Sequence, residues 1–192
     1  MNQNIEIEFK NLLEKDEFEL VAKEFGIAPG AFRRQVNHYF DTPAFSLKEL
    51  GAALRIREKS GKYILTLKQP HDVGLLETDQ IISAKEAEKA LRQGLLPEGG
   101  VASQVRKMGV HFHELAFFGS LATTRAEVSY ENGLLVLDHS TYLDTEDYEL
   151  EYEVEDYHIG KQLFESLLGR LGIPIRKTPN KIQRFYTRKL EQ

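Results

Sequence analysis

Glu149, Glu151 and Glu153 occupy alternate positions late in the chain, and Glu6 and Glu8 do the same at its start, followed at the same spacing by Lys10. On a strand, alternate residues point to one face, so each run sets carboxylates side by side. Like charges at that spacing repel unless cations lie among them, and hard divalent cations prefer such oxygen ligands. The opposite sign appears between these runs: Arg55 and Arg57 alternate with Leu54 and Ile56, and Thr66 and Lys68 with Leu65 and Leu67. Later, Arg125 and Glu127 alternate with Ala126 and Val128. Clustered guanidinium and ammonium groups have the donor geometry to grip phosphate oxygens. A half-solvated antiparallel sheet also carries a polar face, but that face is ordinarily mixed with Thr, Ser, Gln and Asn. Here acid and base are segregated by strand, and the chemistry they suggest is metal-assisted reaction of a small polyanion.

The elements that must position these residues are legible in the periodicity. Residues 4–10, 35–42, 52–59, 62–69, 75–82, 123–130, 133–138 and 147–155 read as strands, and 15–25, 84–93, 101–108 and 159–170 as helices. Glu58-Lys59-Ser60-Gly61-Lys62 and Glu131-Asn132-Gly133 read as hairpin turns, which makes the flanking strands antiparallel neighbours. The fold class is α+β with a mainly antiparallel sheet. If that sheet closes with its charged face inward, acid and base line a tunnel, and Ile5, Ile7, Phe9, Leu54, Ile56, Leu150 and Tyr152 point outward. The helices at 15–25 and 159–170 are then expected to cover them, while the segment from Ala84 to Met108 forms a pair of surface helices without chemistry.

Composition removes other readings. A chain of 192 residues with 41% hydrophobic content is expected to form one domain, residues 1–192. With no cysteine, disulfides, thiolate zinc sites and cysteine nucleophiles are excluded. The start, MNQNIEIEFK, has no apolar signal core, and no apolar run reaches membrane-spanning length, so a cytoplasmic location without a membrane partner is expected. A net charge of −5 argues against nucleic acid as a partner and leaves a small triphosphate-containing molecule open. No GxxxxGK[ST] phosphate loop is present. The oligomeric state is not legible in the sequence. His111-x-His113 could be a pair of metal ligands on a strand, but no further ligand pattern accompanies it and the surface reading is preferred. In Tyr39-Phe40-Asp41-Thr42, Asp41 or Thr42 is expected to cap the next segment. Asp138, at the end of its strand, either orients an arginine or a metal-bound water, or caps a turn.

The ordered set of Glu6-x-Glu8-x-Lys10, Tyr39-Phe40-Asp41-Thr42, Leu54-Arg55-Ile56-Arg57, Thr66-Leu67-Lys68, Glu77, Arg125, Asp138, Glu149-Leu150-Glu151 and Lys181 resembles the CYTH superfamily of triphosphate tunnel metalloenzymes nearly end to end. That resemblance implies an eight-stranded antiparallel β-barrel tunnel with a charged interior and helices outside, triphosphate substrates, and dependence on Mg²⁺ or Mn²⁺. By the same resemblance Glu6, Glu8, Glu149 and Glu151 hold metal, with Glu153 a third candidate on the late acidic strand. Lys10, Arg55, Arg57, Lys68, Arg125 and Lys181 hold phosphate oxygens, with Arg184 sharing the role of Lys181, and Glu77 and Asp138 are catalytic. The implied reaction is hydrolysis of an inorganic, nucleoside or thiamine triphosphate to orthophosphate. The alternatives are an adenylyl cyclase that makes cyclic AMP and pyrophosphate, and a noncatalytic polyphosphate-binding module. Retention of the glutamate pairs counts against the module, because carboxylates oppose polyanion binding unless metal is present.

Overall fold

The structure, a computed structural model, describes residues 2–191. Eight strands, β1 (Asn2–Leu13), β2 (Arg33–Asp41), β3 (Ala53–Lys59), β4 (Lys62–Pro70), β5 (Leu75–Ile82), β6 (Ala116–Tyr130), β7 (Gly133–Tyr142) and β8 (Thr145–Val154), close into an antiparallel barrel. Their order around it is β1-β5-β4-β3-β2-β6-β7-β8. The helices are α1 (Lys15–Glu24), α2 (Ser46–Glu49), α3 (Ala84–Gln93), α4 (Gly100–Lys107), α5 (Tyr157–Leu171) and α6 (Lys181–Leu190). The expected fold class and all eight expected strands are present. Among the described residues no helix is long and apolar enough to cross a membrane.

The turn chemistry explains most boundaries. Ser83 and Glu86 form a reciprocal capping box at the start of α3, and Gly94 ends that helix in the left-handed region at φ 70°. Asp156 accepts from the Ile159 amide at 2.8 Å to start α5, which ends on Gly172 at φ 68°. Asp41 accepts from the amides of Thr42, Leu47 and Lys48 at 2.8, 2.9 and 3.1 Å, and Thr42 Oγ1 accepts from the Ser46 amide at 3.0 Å. The expected capping role of Asp41 and Thr42 is thus what builds the one-turn α2, which the periodicity alone did not reveal. Helix α6 was also unexpected, although Asn180 and Gln183 carry its capping box in the sequence. Strand β6 begins well before the expected residue 123, and β7 runs on past the expected 138 to Tyr142.

The chain packs as two compact units. The first is built on Gln35–Leu121 with the start of β1 up to Ile5, and the second on Glu6–Arg34 with the chain from Ala122 onward. In the first unit, Leu54, Ile56, Leu65 and Leu67 are wholly buried against Ala87, Ala90, Val101, Ala102 and Val105 of α3 and α4. Each such aliphatic side chain contributes roughly 1.5–3 kcal/mol of burial. The expectation that the helices at 15–25 and 159–170 cover Leu54 and Ile56 is therefore corrected: α3 and α4 follow directly from β5 in the same unit and their apolar faces reach the sheet first. In the second unit Phe9, Leu135, Leu137, Leu150 and Tyr152 do pack against Val21 of α1 and Phe164, Leu167 and Leu168 of α5, as expected. Ile5 stays 47% exposed.

In both units the charged residues lie on the strand face opposite the helices. Helix α5 comes close to the sheet at Gly160, where a Cβ would meet Val154 Cγ2 at 2.5 Å and the Phe9 ring at 3.0 Å. Gly160→Ala is expected to destabilise the protein by about 1–3 kcal/mol through overpacking. The shift in the denaturant midpoint of unfolding measures it.

Candidate functional site

Register places the late charged residues before any side chain is considered. Arg125 of β6 is opposite Asp138 of β7, which is opposite Glu149 of β8. On the other edge of β8, Glu151 is opposite Lys10 and Glu153 opposite Glu8. Arg125 grips Asp138 with two parallel hydrogen bonds, Nε to Oδ1 at 2.8 Å and Nη2 to Oδ2 at 2.7 Å, and Nη2 also donates to Glu151 Oε2 at 2.8 Å. Asp138 thus orients an arginine from the middle of a strand. The turn-capping alternative falls, because β7 continues to Tyr142.

Helix α6 supplies the remaining cations to this group. Lys181 Nζ lies 2.9 Å from Asp138 Oδ2 and 2.5 Å from Glu151 Oε1, and it contacts Glu149 as well. Arg184 Nη1 lies 2.5 Å from Glu149 Oε2, and its Nε donates to Asp147 Oδ2 at 2.9 Å. The helix N-cap reaches the same region, for Asn180 Oδ1 accepts from Lys10 Nζ at 3.1 Å. Lys181 and Arg184 are three residues apart, so one face of α6 presents both.

The electrostatics follow from depth. Asp138 and Glu149 are 0% exposed and Glu151 5%, and a buried charge is tolerable only when paired. Burial opposes ionisation of Glu151, but Lys181 and Arg125 outweigh it and hold its carboxyl well below the usual range. Burial likewise opposes the charge on Arg125 and Lys181, yet the surrounding carboxylates, Glu151 and Asp138 for the first and Asp138, Glu151 and Glu149 for the second, keep both firmly protonated. For Glu149 burial wins and pushes the carboxyl up to about 7 against the pull of Lys181, with Glu151 adding repulsion.

Glu6, Glu8 and Glu153 form a second acidic group, with ligand oxygens all within 4.8 Å of one another. Burial pushes Glu153 up to about 7, against the pull of Arg125, and the charges of Glu6, Glu151 and Glu8 add to it. Arg125 Nη1 is 4.0 Å from Glu153 and Lys10 pairs with Glu8, so the cluster stands next to fixed cations. An all-carboxylate donor set with mutual repulsion fits a hard dication. Of the five glutamates expected at metal, the structure gathers Glu6, Glu8 and Glu153. Glu149 and Glu151 lie against Lys181, Arg125 and Arg184. His113 lies on a single turn of 3₁₀ helix, Phe112–Glu114, and His111 precedes it; both are exposed and neither is on a strand.

In the first unit Lys68 Nζ is 2.9 Å and Arg55 Nη2 3.7 Å from Glu77 Oε1. Glu77 lies directly opposite Lys68 in the register, which places it on the charged face that its own local sequence did not indicate. Arg57 Nε donates to Asn37 Oδ1 at 3.1 Å, and Thr66 Oγ1 to Asp79 Oδ1 at 2.6 Å. Asn37, Asp79 and Asp147 escaped the sequence reading. Their signal was available as the alternation Gln35, Asn37, Tyr39 on β2 and the odd-numbered series that continues Glu149 backward and Glu77 forward.

Residues 4–186 match the family model of the CYTH domain. The chain belongs to the CYTH family. It is 53% identical over 189 residues, 98% of each chain, to "Putative triphosphatase YjbK" of Bacillus subtilis (strain 168). A crystal structure from Bacillus halodurans, described as a "putative adenylate cyclase", superposes with a TM-score of 0.94 at 45% identity, covering 97% of this chain and 100% of that one. HpAC1 from Hippeastrum, described as a "putative adenylyl cyclase" with a dominant triphosphatase activity, superposes with a TM-score of 0.80 at 26% identity, covering 95% of this chain and 96% of that one.

The raised Glu153 carboxyl makes a pH prediction for this CYTH domain. With its ordinary value near 4.5 in the unfolded chain and about 7 in the folded one, the folded state binds the extra proton. Its contribution is fully present below pH 4.5 and is lost as pH rises through about 7. Glu153→Gln is therefore expected to gain stability over the natural chain as pH rises across that window, by about 1–3 kcal/mol at the upper end when metal is absent. Thermal melts of both proteins in chelator from pH 4.5 to 8 check this, and added Mg²⁺ should raise only the natural chain.

Proposed function

We propose that the chain hydrolyses the terminal anhydride of a triphosphate with Mg²⁺ or Mn²⁺, releasing orthophosphate. The observation that carries this reading is the adjacency of two opposite groups on one strand face: the Glu6, Glu8 and Glu153 cluster, and the cations Lys10 and Arg125 that touch its members. A triphosphate carries several negative charges, so a site for it must neutralise them and fix their geometry before reaction. The dominant triphosphatase activity described for HpAC1, and the name of the Bacillus subtilis relative, favour hydrolysis over cyclisation.

Glu6, Glu8 and Glu153 would hold the dication, which when bound supplies charge neutralisation at phosphate oxygens and makes water a better nucleophile at neutral pH. Lys10, Arg125, Lys181 and Arg184 are assigned to phosphate oxygens in the second unit, and Arg55, Arg57 and Lys68 in the first. Asp138 and Glu77 act as positioning residues, since each holds two cations, Arg125 and Lys181 for the one, Lys68 and Arg55 for the other. These cations already have carboxylate partners, so an arriving polyanion would have to share them, because a buried carboxylate that lost its cation would stand unpaired. Water adds to the terminal phosphorus, the bond to the bridging oxygen breaks, and orthophosphate and the shortened phosphate leave with the water's protons shared among them and solvent. The location we assign to this activity is cytoplasmic.

Incubation of the purified chain with tripolyphosphate, ATP and thiamine triphosphate, with and without Mg²⁺ or Mn²⁺, tests the reading. Orthophosphate release that requires the metal is expected. Cyclic AMP with pyrophosphate from ATP, or binding without turnover of any of them, would overturn it. Glu8→Gln should lower turnover by about 10²–10³-fold while the melting curve in chelator stays cooperative. Arg57→Ala should weaken tripolyphosphate binding by about 1.5–3 kcal/mol, the worth of a charge-assisted hydrogen bond, as read by calorimetry.

A further inference from the structure

The strand face that carries Arg55 and Arg57 changes chemistry along its length. Cross-strand register divides it into layers about 6.8 Å apart, two residues of strand rise. Lys68 opposite Glu77 makes one layer, and Arg55 with Thr66 and Asp79 the next. The third joins Asn37, Arg57, Ile64 and Ile81. Beyond them Gln35 faces Lys59 near the hairpin end. Acid and base pair at one end, whereas at the other Arg57 and Lys59 have no carboxylate across from them in the register and stand with an apolar cross-strand pair and two amides. Ile81 belongs to the charged side, because its neighbour Ile82 is in the apolar core and Gln80 donates to the Glu98 carbonyl at 2.9 Å on the helix side. It is nevertheless 86% exposed.

Gln35 is the second, independent observation. It is 2% exposed, and its side-chain oxygen has no hydrogen-bond partner. By alternation it shares the face of Asn37, whose bond to Arg57 fixes which side that is. A buried acceptor left unsatisfied costs about 1–3 kcal/mol, and nearly all such groups have partners. Ionised phosphate oxygens are acceptors and cannot supply the missing proton, so a phosphate chain on Arg57 leaves Gln35 as it is. A donor completes it, and a ligand's hydroxyl or amine can be that donor where a phosphate oxygen cannot.

We propose that Gln35, Ile64 and Ile81 form a subsite for an organic, hydrogen-bond-donating group attached to the phosphate chain, so that the chain discriminates in favour of an organic triphosphate over inorganic triphosphate. The inference rests on the triphosphatase reading and adds the substrate class to it. The apolar body of the group covers Ile64 and Ile81, and its hydroxyl or amine donates to Gln35 Oε1. From β2 to β4 is roughly 10 Å, two interstrand spacings, enough for a group the size of a nucleoside.

Binding of ATP, thiamine triphosphate and inorganic tripolyphosphate is measured by calorimetry with Mg²⁺ present, alongside orthophosphate release. Two variants are compared with the natural chain: Gln35→Met, which keeps the volume and removes the acceptor, and Ile81→Ser, which alters an exposed side chain and so spares folding. At least one organic triphosphate is expected to lose about tenfold in affinity in each variant, the worth of one hydrogen bond or a modest apolar contact, while tripolyphosphate stays within about twofold. Equal weakening of all three ligands, or no weakening of either organic one, overturns the subsite. Absence of hydrolysis of every compound would overturn the triphosphatase reading instead, and the affinities would still decide the subsite.

Discussion

Buried carboxylates cannot stand alone, and this single constraint organises the second unit. Asp138, Glu149 and Glu151 are almost wholly withdrawn from water, so any charge they carry is tolerable only beside Arg125, Lys181 and Arg184. Two of those three cations come from α6, close to the end of the chain. Helix α6 is therefore not an appendage to the barrel. Its Lys181 is bonded to three carboxylates on two strands, and removing it would leave them repelling one another in a medium that cannot screen them.

The same constraint separates the acidic residues into two kinds. Those deepest on β7 and β8 are matched by fixed cations, and their geometry is closed. Glu6, Glu8 and Glu153 have more carboxylate than cation among them, and their repulsion adds to the burial that holds the proton on Glu153 to about 7. The donor set of this group suits a dication in the proposed reading, whereas Glu149 and Glu151 have Lys181, Arg125 and Arg184 against them. Both kinds arise from one alternating strand, and the difference comes from what lies across from each residue in the neighbouring strands.

The apolar side of the sheet does the complementary work. Placing Leu54, Ile56, Leu65 and Leu67 under α3 and α4, and Leu135, Leu137, Leu150 and Tyr152 under α1 and α5, gathers most of the large apolar residues of these strands on one face. The other face is then free to carry charge without loss of core. Gly160 shows how close that packing is, since α5 approaches β8 to within the space of a missing Cβ. Rigid strands held from behind in this way keep the charged side chains in fixed register.

What the sequence determined by itself was everything that depends on period two. Alternation sorted Glu6, Glu8, Arg55, Arg57, Lys68, Glu149, Glu151 and Glu153 onto one face, the hairpin turns paired their strands, and the ordered motifs pointed to the CYTH family. What alternation cannot give is the neighbour across the strand. Glu77 looked unplaced until register set it against Lys68, and Asp138 had two roles until β7 proved long enough to hold it in mid-strand. Parity likewise treated Glu149, Glu151 and Glu153 alike; only the arrival of Lys181 and Arg184 from a helix more than twenty-five residues later in the chain distinguished them. Long-range charge pairing is invisible to local pattern, because a side chain's spacing fixes its direction while the partner it meets is fixed by the fold.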